Sequence, residues 1–258
     1  EGRAFAEFQV RERLYRTSLP AAFGVLTDSP ALAGAVSRRY GIDRERLMPM
    51  PFAPAPFLGA AASAETTAVL GKYRLDEGYF FYPAQFWAHK NHIRILQALL
   101  LLKERGHAVR AAFAGGDKGN RAHLEAFVAG SGLRDQVRFL GFVPGEDLRG
   151  LYAGCRAVVM PTYFGPTNIP PLEAWLIGKP LIYSSHLREQ AGEAALTVDP
   201  DDASALAEAM LACENPETCA RLVTAGKLRL RQIEEQRVLI AAGHTPARPH
   251  VDQCGRAF

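Results

Sequence analysis

Short runs of β-branched and aromatic residues, each followed by a stretch with helical spacing, recur along most of this chain. From residue 79 the predicted strands are YFFYPA (79–84), VRAAFAG (109–115), VRFLG (137–141), AVVMPT (157–162), PLIYS (180–184) and ALTVD (195–199). Helical spacing falls between them, near 92–105, 120–130, 146–154, 170–178 and 187–191. The strands are short and almost continuously apolar, as strands buried on both faces of a parallel sheet are. Asn91 stands as a cap ahead of Ile93, Leu96, Leu99 and Leu100, and Gly106 closes that helix. Asp202 stands in the same way before a helix over 203–212. Six strands with crossover helices predict an open, doubly wound α/β domain.

A smaller block precedes it. GVLTDS (24–29) reads as a strand ending at a capping Ser29-Pro30, ALAGAVSRRYG (31–41) as a helix stopped by Gly41, and RLMPM (46–50) as another short strand. Two strands and a helix are too few for an independent sheet, so this block is expected to be the end of something larger. PFAPAPFLGAAASA (51–64) reads as a linker. A charged helical stretch follows residue 216 and runs to Gln236, and the patternless tail is expected to be disordered. The opening EGRAFAEF has neither an initiator Met nor a signal-peptide pattern, which leads to the expectation of a truncated chain. The domain reading is therefore a remnant plus linker over 1–56, a complete domain over 57–235 and a tail over 236–258.

Composition narrows the class without choosing a function. The 258 residues are 48% hydrophobic and 22% charged, which fits a globular chain and excludes collagen and coiled coil. A net charge of +3 without a basic run gives no support for nucleic acid as a partner. ILQALLLL (95–102) is far short of the roughly 18 residues that a membrane span needs. The four cysteines form no C-x-x-C pair, which argues against a zinc site and fits a reducing cytoplasm.

In an open parallel sheet, ligands bind beyond the carboxyl ends of the strands. Four loops there carry candidate chemistry. In PAQFWAHKNH (83–92), Lys90 lies just ahead of a helix, where a point cation and free N–H groups favour phosphate; a solvated surface lysine is the alternative. AGGDKGN (114–120) lacks both G-x-G-x-x-G and G-K-[ST] order, and a plain turn explains its glycines as well. In GFVPGEDL (141–148), Phe142 and Val143 are expected to form an apolar lip for a flat base, or else to pack within the loop. In YFGPTNIPPLEAWLIGKP (163–180), Pro170-Pro171 pre-set a first helical turn, so a rigid cup of N–H groups is expected. Glu173 is read in that first turn, aimed at ribose hydroxyls or merely well placed against the helix dipole. The D-x-D within DPDD (199–202) falls on a turn where Asp202 already caps a helix, so no metal site is assigned.

At these loops the sequence closely resembles the retaining glycosyltransferases of family 4 (group 1), over about residues 8–235. The anchors are YPAQFWAHKNH (82–92), AGGDKGN (114–120), RFLGFVPGEDLRGLY (138–152), PTYFGPTNIPPLEA (161–174) and TVDPDD (197–202). The resemblance implies a GT-B fold with two Rossmann-like domains, of which 57–235 is the C-terminal, donor-binding one. It further implies that Lys90 contacts the donor diphosphate and is the catalytic cation, with Gln85 where the family carries arginine. Phe142 and Val143 fall in the base loop, and Thr167, Asn168 and Ile169 in the loop that approaches phosphate and sugar. Glu173 matches the second glutamate of the E-x7-E motif, while the first falls at Gly165, whose lost sugar contact Asn168 could replace.

The activity implied is transfer of a hexose from a nucleoside-diphosphate sugar to a glycan or lipid-linked acceptor hydroxyl, with retention and without a metal or other cofactor. The setting implied is surface-polysaccharide synthesis in the cytoplasm or peripherally on the inner face of the plasma membrane. Lys90→Ala and Glu173→Ala are each expected to abolish nucleotide binding. The alternatives are a non-catalytic nucleotide-sugar-binding module or another GT-B protein such as a sugar-nucleotide epimerase. A nicotinamide-dependent oxidoreductase is disfavoured by the missing glycine fingerprint.

Overall fold

The computed structural model describes residues 2–56, 58–59, 63–165 and 167–243, with side chains from residue 7 onward. It divides into two units, Glu1–Phe52 with Ile233–Phe258, and Ala53–Gln232.

The first unit contains α1 (Gly2–Ser18), β1 (Val25–Thr27), α2 (Pro30–Tyr40) and β2 (Leu47–Pro49), with β1 and β2 paired in parallel. The expected capping of α2 is present: Ser29 Oγ accepts from the Leu32 N–H at 3.2 Å, and Gly41 closes the helix in the left-handed conformation. Ala33, Ile42 and Leu47 form a small core with Leu19, Val25, Val36 and Tyr40 around it. α1 was not foreseen, because its apolar residues Phe8, Val10, Leu14 and Tyr15 are all exposed and mark out no buried stripe. Glu12 ties it to α2 by accepting from Arg39 at 2.8 Å and the Tyr40 hydroxyl at 2.9 Å.

The second unit runs α3 (Ser63–Tyr73), β3 (Phe80–Pro83), α4 (His92–Glu104), β4 (Ala111–Ala114), α5 (Arg121–Gly130), β5 (Val137–Gly141) and α6 (Gly145–Gly154). It continues with β6 (Ala157–Met160), α7 (Ile169–Ile177), β7 (Leu181–Ser184), α8 (Arg188–Ala191), β8 (Leu196–Val198), α9 (Ala203–Ala212) and α10 (Pro216–Gly243). Each of the six strands lies inside its predicted window. They form one parallel sheet in the order β5-β4-β3-β6-β7-β8, the doubly wound Rossmann-like arrangement. β3, β4, β6 and β7 are buried along nearly their whole length, as the continuous apolar runs require. α4 packs with α5 and α9, and α3 with α6. Gly150 and Gly154 allow the latter approach, since a Cβ on either would lie within 3 Å of Val69 or Leu70.

Three local readings change. Asn91 is in the left-handed conformation and makes no side-chain cap; its amide instead donates to the carbonyls of Pro161 at 2.9 Å and Pro200 at 2.8 Å. The stretch read as a linker gives way to helix at Ser63. α10 continues past Gln236 to Gly243, and the rest of the expected tail, 244–258, lies outside the described residues. Among the described residues no helix is long and apolar enough to cross a membrane.

Candidate functional site

The strand order reverses direction at β3 and β6. From β3 the chain leads outward through α4 to β4; from β6 it leads the opposite way through α7 to β7. The loops after β3 and β6 diverge at the carboxyl edge, and a crevice opens between them. Residues 84–91 lie on one side and 161–165 with 167–168 on the other.

Main-chain bonds fix the floor of the first loop. Phe86 N–H donates to Gly116 O at 3.0 Å, and Gly115 N–H donates to Gly141 O at 2.7 Å. Gly115 has φ +159°, and a Cβ there would stand 2.3 Å from the Ala84 carbonyl oxygen. Gly115 of AGGDKGN therefore serves the close approach of two loops, while a Cβ on Gly116 or Gly119 would meet nothing within 4 Å.

Lys90 ends a 3₁₀ turn, Ala88–Lys90. Its carbonyl accepts from the Tyr82 hydroxyl at 3.0 Å, and the neighbouring His89 carbonyl accepts from the Tyr163 N–H at 2.9 Å. The backbone is thus held from the sheet and from the β6 loop. The ammonium is partly buried, and its hydrogen-bond partner is the neutral Asn168 Oδ1 at 3.4 Å. Among the described residues it has no ion-pair partner. Desolvation pulls its pKa below the usual lysine value, as expected for a cation without an anion beside it.

Across the crevice, Asn168 precedes α7 and is 7% exposed. Its Nδ2 donates to the Gly165 carbonyl at 3.0 Å and to the Tyr183 hydroxyl at 2.6 Å. Gly165 has φ +117°, and a Cβ there would lie 2.8 Å from Asn168 Oδ1. Glycine at 165 and asparagine at 168 therefore fit one another, and a glutamate at 165 would not fit this arrangement.

The cup of N–H groups expected at α7 is thinner than its prolines suggested. Pro170 and Pro171 carry no N–H, and the Asn168 N–H is already donated to Gln190 Oε1 at 2.9 Å. Ile169 and Leu172 hold the remaining N–H groups among the first four helical positions, so the positive charge rests chiefly on Lys90. Glu173 is the fifth residue of α7, one place beyond the first turn. Its carboxylate is partly buried and accepts from the Tyr152 hydroxyl. Burial raises its pKa, with the Tyr152 hydrogen bond opposing.

The remaining sequence candidates fare differently. Gln85 is exposed, and its Oε1 accepts from Trp87 Nε1 at 3.0 Å. Phe142 is 83% exposed, whereas Val143 is buried. The expected two-residue lip is therefore one residue wide, with Val143 taking the loop-packing role. Thr167 flanks Asn168 with its hydroxyl buried and unpartnered, and Ile169 is exposed at the start of α7. Asp201 of the DPDD run pairs with Arg94 at 3.2 Å and accepts from the Tyr163 hydroxyl, while Asp202 accepts from the Ala205 N–H at 2.8 Å as a cap. Sequence reasoning missed Tyr152, Tyr183 and Gln190. Each lies in an apolar or helical stretch where nothing local separates a site residue from a packed one.

The family model described as "Glycosyl transferases group 1" matches residues 77–215. O-antigen chain mannosyltransferase B of Escherichia coli is 29% identical over 218 residues, which are 83% of this chain and 57% of that one. O-antigen chain mannosyltransferase RfbU of Salmonella typhimurium is 26% identical over 191 residues, 73% of this chain and 50% of that one. The chain thus spans about half the length of these relatives. Among solved structures, Anabaena Alr3699/HepE in complex with UDP superposes with a TM-score of 0.73 at 19% identity, over 86% of this chain and 63% of that one. The C-terminal domain of a group 1 glycosyl transferase (LpcC) from Francisella tularensis gives 0.56 at 17% identity, over 70% of this chain and 94% of that one. At these identities the likeness to solved structures speaks for the fold.

Proposed function

The chain belongs to the group 1 glycosyl transferases, and on that premise we propose that it moves a hexose from a nucleoside-diphosphate sugar to an acceptor hydroxyl with retention at the anomeric carbon. Similarity to two O-antigen mannosyltransferases supports polysaccharide synthesis as the setting and a glycan or lipid-linked acceptor as the second substrate. The cytoplasmic side of the membrane is the location this reading assigns.

One observation carries the reading. A partly buried ammonium, Lys90, stands at the strand-order switch of the sheet with a neutral amide as its hydrogen-bond partner. Placing a cation there is costly unless an anion completes it, and a diphosphate does so. As the bond from sugar to diphosphate breaks, negative charge grows on the departing oxygen, and Lys90 would stabilise it in place of a metal ion. The α7 dipole adds to this, with the Ile169 N–H as a main-chain donor. Glu173, steadied through one oxygen by Tyr152, would accept from ribose hydroxyls through the other. Phe142 offers its exposed ring to the base.

Calorimetric titration of the chain with UDP and with GDP tests this. One of the two is expected to bind, and Lys90→Ala should weaken that binding by about 1.5–3 kcal/mol, the worth of a charge-assisted hydrogen bond. A transfer assay with the matching nucleotide sugar separates a transferase from a binding module. Binding of neither nucleotide, or equal binding by Lys90→Ala, defeats the proposal.

A further inference from the structure

We propose that Gln190 is the positioning residue of this site, fixing the main chain at Asn168 so that Asn168 Oδ1 faces Lys90 and the bound donor. The inference rests on the donor-site reading above and adds to it a residue with no place in the motifs that mark the site.

Gln190 lies on the single-turn helix α8, after β7, and is 8% exposed. Its Oε1 accepts the Asn168 N–H at 2.9 Å while its Nε2 donates to the Asn168 carbonyl at 2.6 Å. One side-chain amide thus supplies both bonds that a neighbouring strand would give to a paired residue. The Tyr183 hydroxyl donates to the same Oε1 at 2.8 Å and accepts from Asn168 Nδ2 at 2.6 Å, which closes a buried ring of bonds. Behind α8, Arg229 donates to the main-chain carbonyls of Gln190 at 2.8 Å and Glu189 at 2.9 Å, so the amide is held from the far side.

The direction of every bond is determined. The carbonyls of Asn168 and Gly165 can only accept, so each amide must turn its NH₂ toward them. Both N–H groups of Asn168 are therefore spent inside the protein. What remains for the crevice is Oδ1, an acceptor, now 3.4 Å from Lys90 Nζ. The site accordingly presents an acceptor suited to a sugar hydroxyl next to a cation suited to phosphate. Without Gln190, the residue before α7 loses the partners of its N–H and carbonyl together, and Oδ1 loses its aim.

A carboxyl group offers a test that a merely structural role would not pass. A neutral carboxylic acid has one carbonyl acceptor and one O–H donor and reproduces the amide's bonds; an ionised one has no donor and sets a charged oxygen against the Asn168 carbonyl. The groups facing this position are the Tyr183 hydroxyl from β7, the Arg229 guanidinium from α10 at the main chain, and Lys90 through Asn168. Burial favours the neutral acid, and the two cations oppose it.

Gln190→Glu, Gln190→Leu and the unsubstituted chain are compared at pH 5 and pH 8 by two measurements. These are hydrogen exchange of the amides over 163–172 and calorimetric binding of UDP and GDP, with the melting temperature followed throughout. Relative to the unsubstituted chain at the same pH, Gln190→Glu is expected to keep loop protection and binding within about threefold at pH 5. At pH 8 it is expected to lose at least tenfold in both. Gln190→Leu is expected to lose both at either pH. Should Gln190→Leu fail to fold, the pH contrast within Gln190→Glu still decides. Equal behaviour of Gln190→Glu and the unsubstituted chain at both pH values overturns the inference. Binding of neither nucleotide by the unsubstituted chain defeats the donor-site reading, while the exchange arm still judges the clamp.

Discussion

At the scale of single residues, what could be read in advance was charge out of place. Lys90 stood out because a cation just ahead of a helix needs a reason, and the loop around it was aromatic. Gln190 did not stand out, since a glutamine in a short polar stretch reads as surface and its partner lies 22 positions away. His92 shows another role that spacing conceals. It is fully buried at the start of α4, with ring centroids 4.6 Å from Tyr82, 4.9 Å from Phe86 and 5.4 Å from Phe113. Burial pulls its pKa from 6.5 to about 3. Below pH 6.5 the unfolded chain takes up a proton there that the folded chain refuses until about pH 3. Stability should therefore fall as pH drops through that window, by up to about 5 kcal/mol from this group alone. Replacing it by a ring that cannot titrate, His92→Phe, should flatten the slope of urea-unfolding free energy against pH between 6 and 4. An unchanged slope would place the acid sensitivity elsewhere.

Elements were legible where a stop or start signal has a local cause. Ser29 and Asp202 both accept from an N–H three residues on, as capping residues do. Removing the second cap with Asp202→Ala should cost about 1 kcal/mol and lower the melting temperature by about 2–4 °C, measurable by calorimetric scanning. An unchanged melting temperature would mean that packing of α9 against α4 holds the helix end unaided. Asn91 misled for a physical reason. Asparagine is suited both to capping and to left-handed backbone, and here the second use won because two carbonyls from later loops needed its amide. α3 was hidden by its own composition. Its buried Thr66, Val69 and Leu70 follow an alanine- and proline-rich run and lie among β-branched residues and a glycine, which gives little helical signal.

At the scale of the whole molecule, the parallel order of the sheet explains why the candidate loops could be named before their geometry was seen. Reversal of strand order forces two loops apart whatever their sequence, so the candidate loops follow from topology and only their chemistry from residues. Division into two units could not be read with the same precision, since the end of a long helix belongs with residues far from it in the chain. The second unit has its own buried sheet and every residue assigned to the site. Produced alone, residues 53–232 should unfold in one cooperative urea transition and bind the same nucleotide as the whole chain, within about tenfold. Loss of either property would show that the first unit completes the fold or the site.

The fit between Gly165 and Asn168 has a further consequence, for how such a site can change. An acidic side chain placed at 165 alone meets both a left-handed backbone and the amide of 168. A smaller residue placed at 168 alone abandons the Gly165 carbonyl, the Tyr183 hydroxyl and the ammonium of Lys90. Replacing both together removes the clash that a side chain at 165 alone meets. The effects of substitution at these two positions are therefore expected to be non-additive.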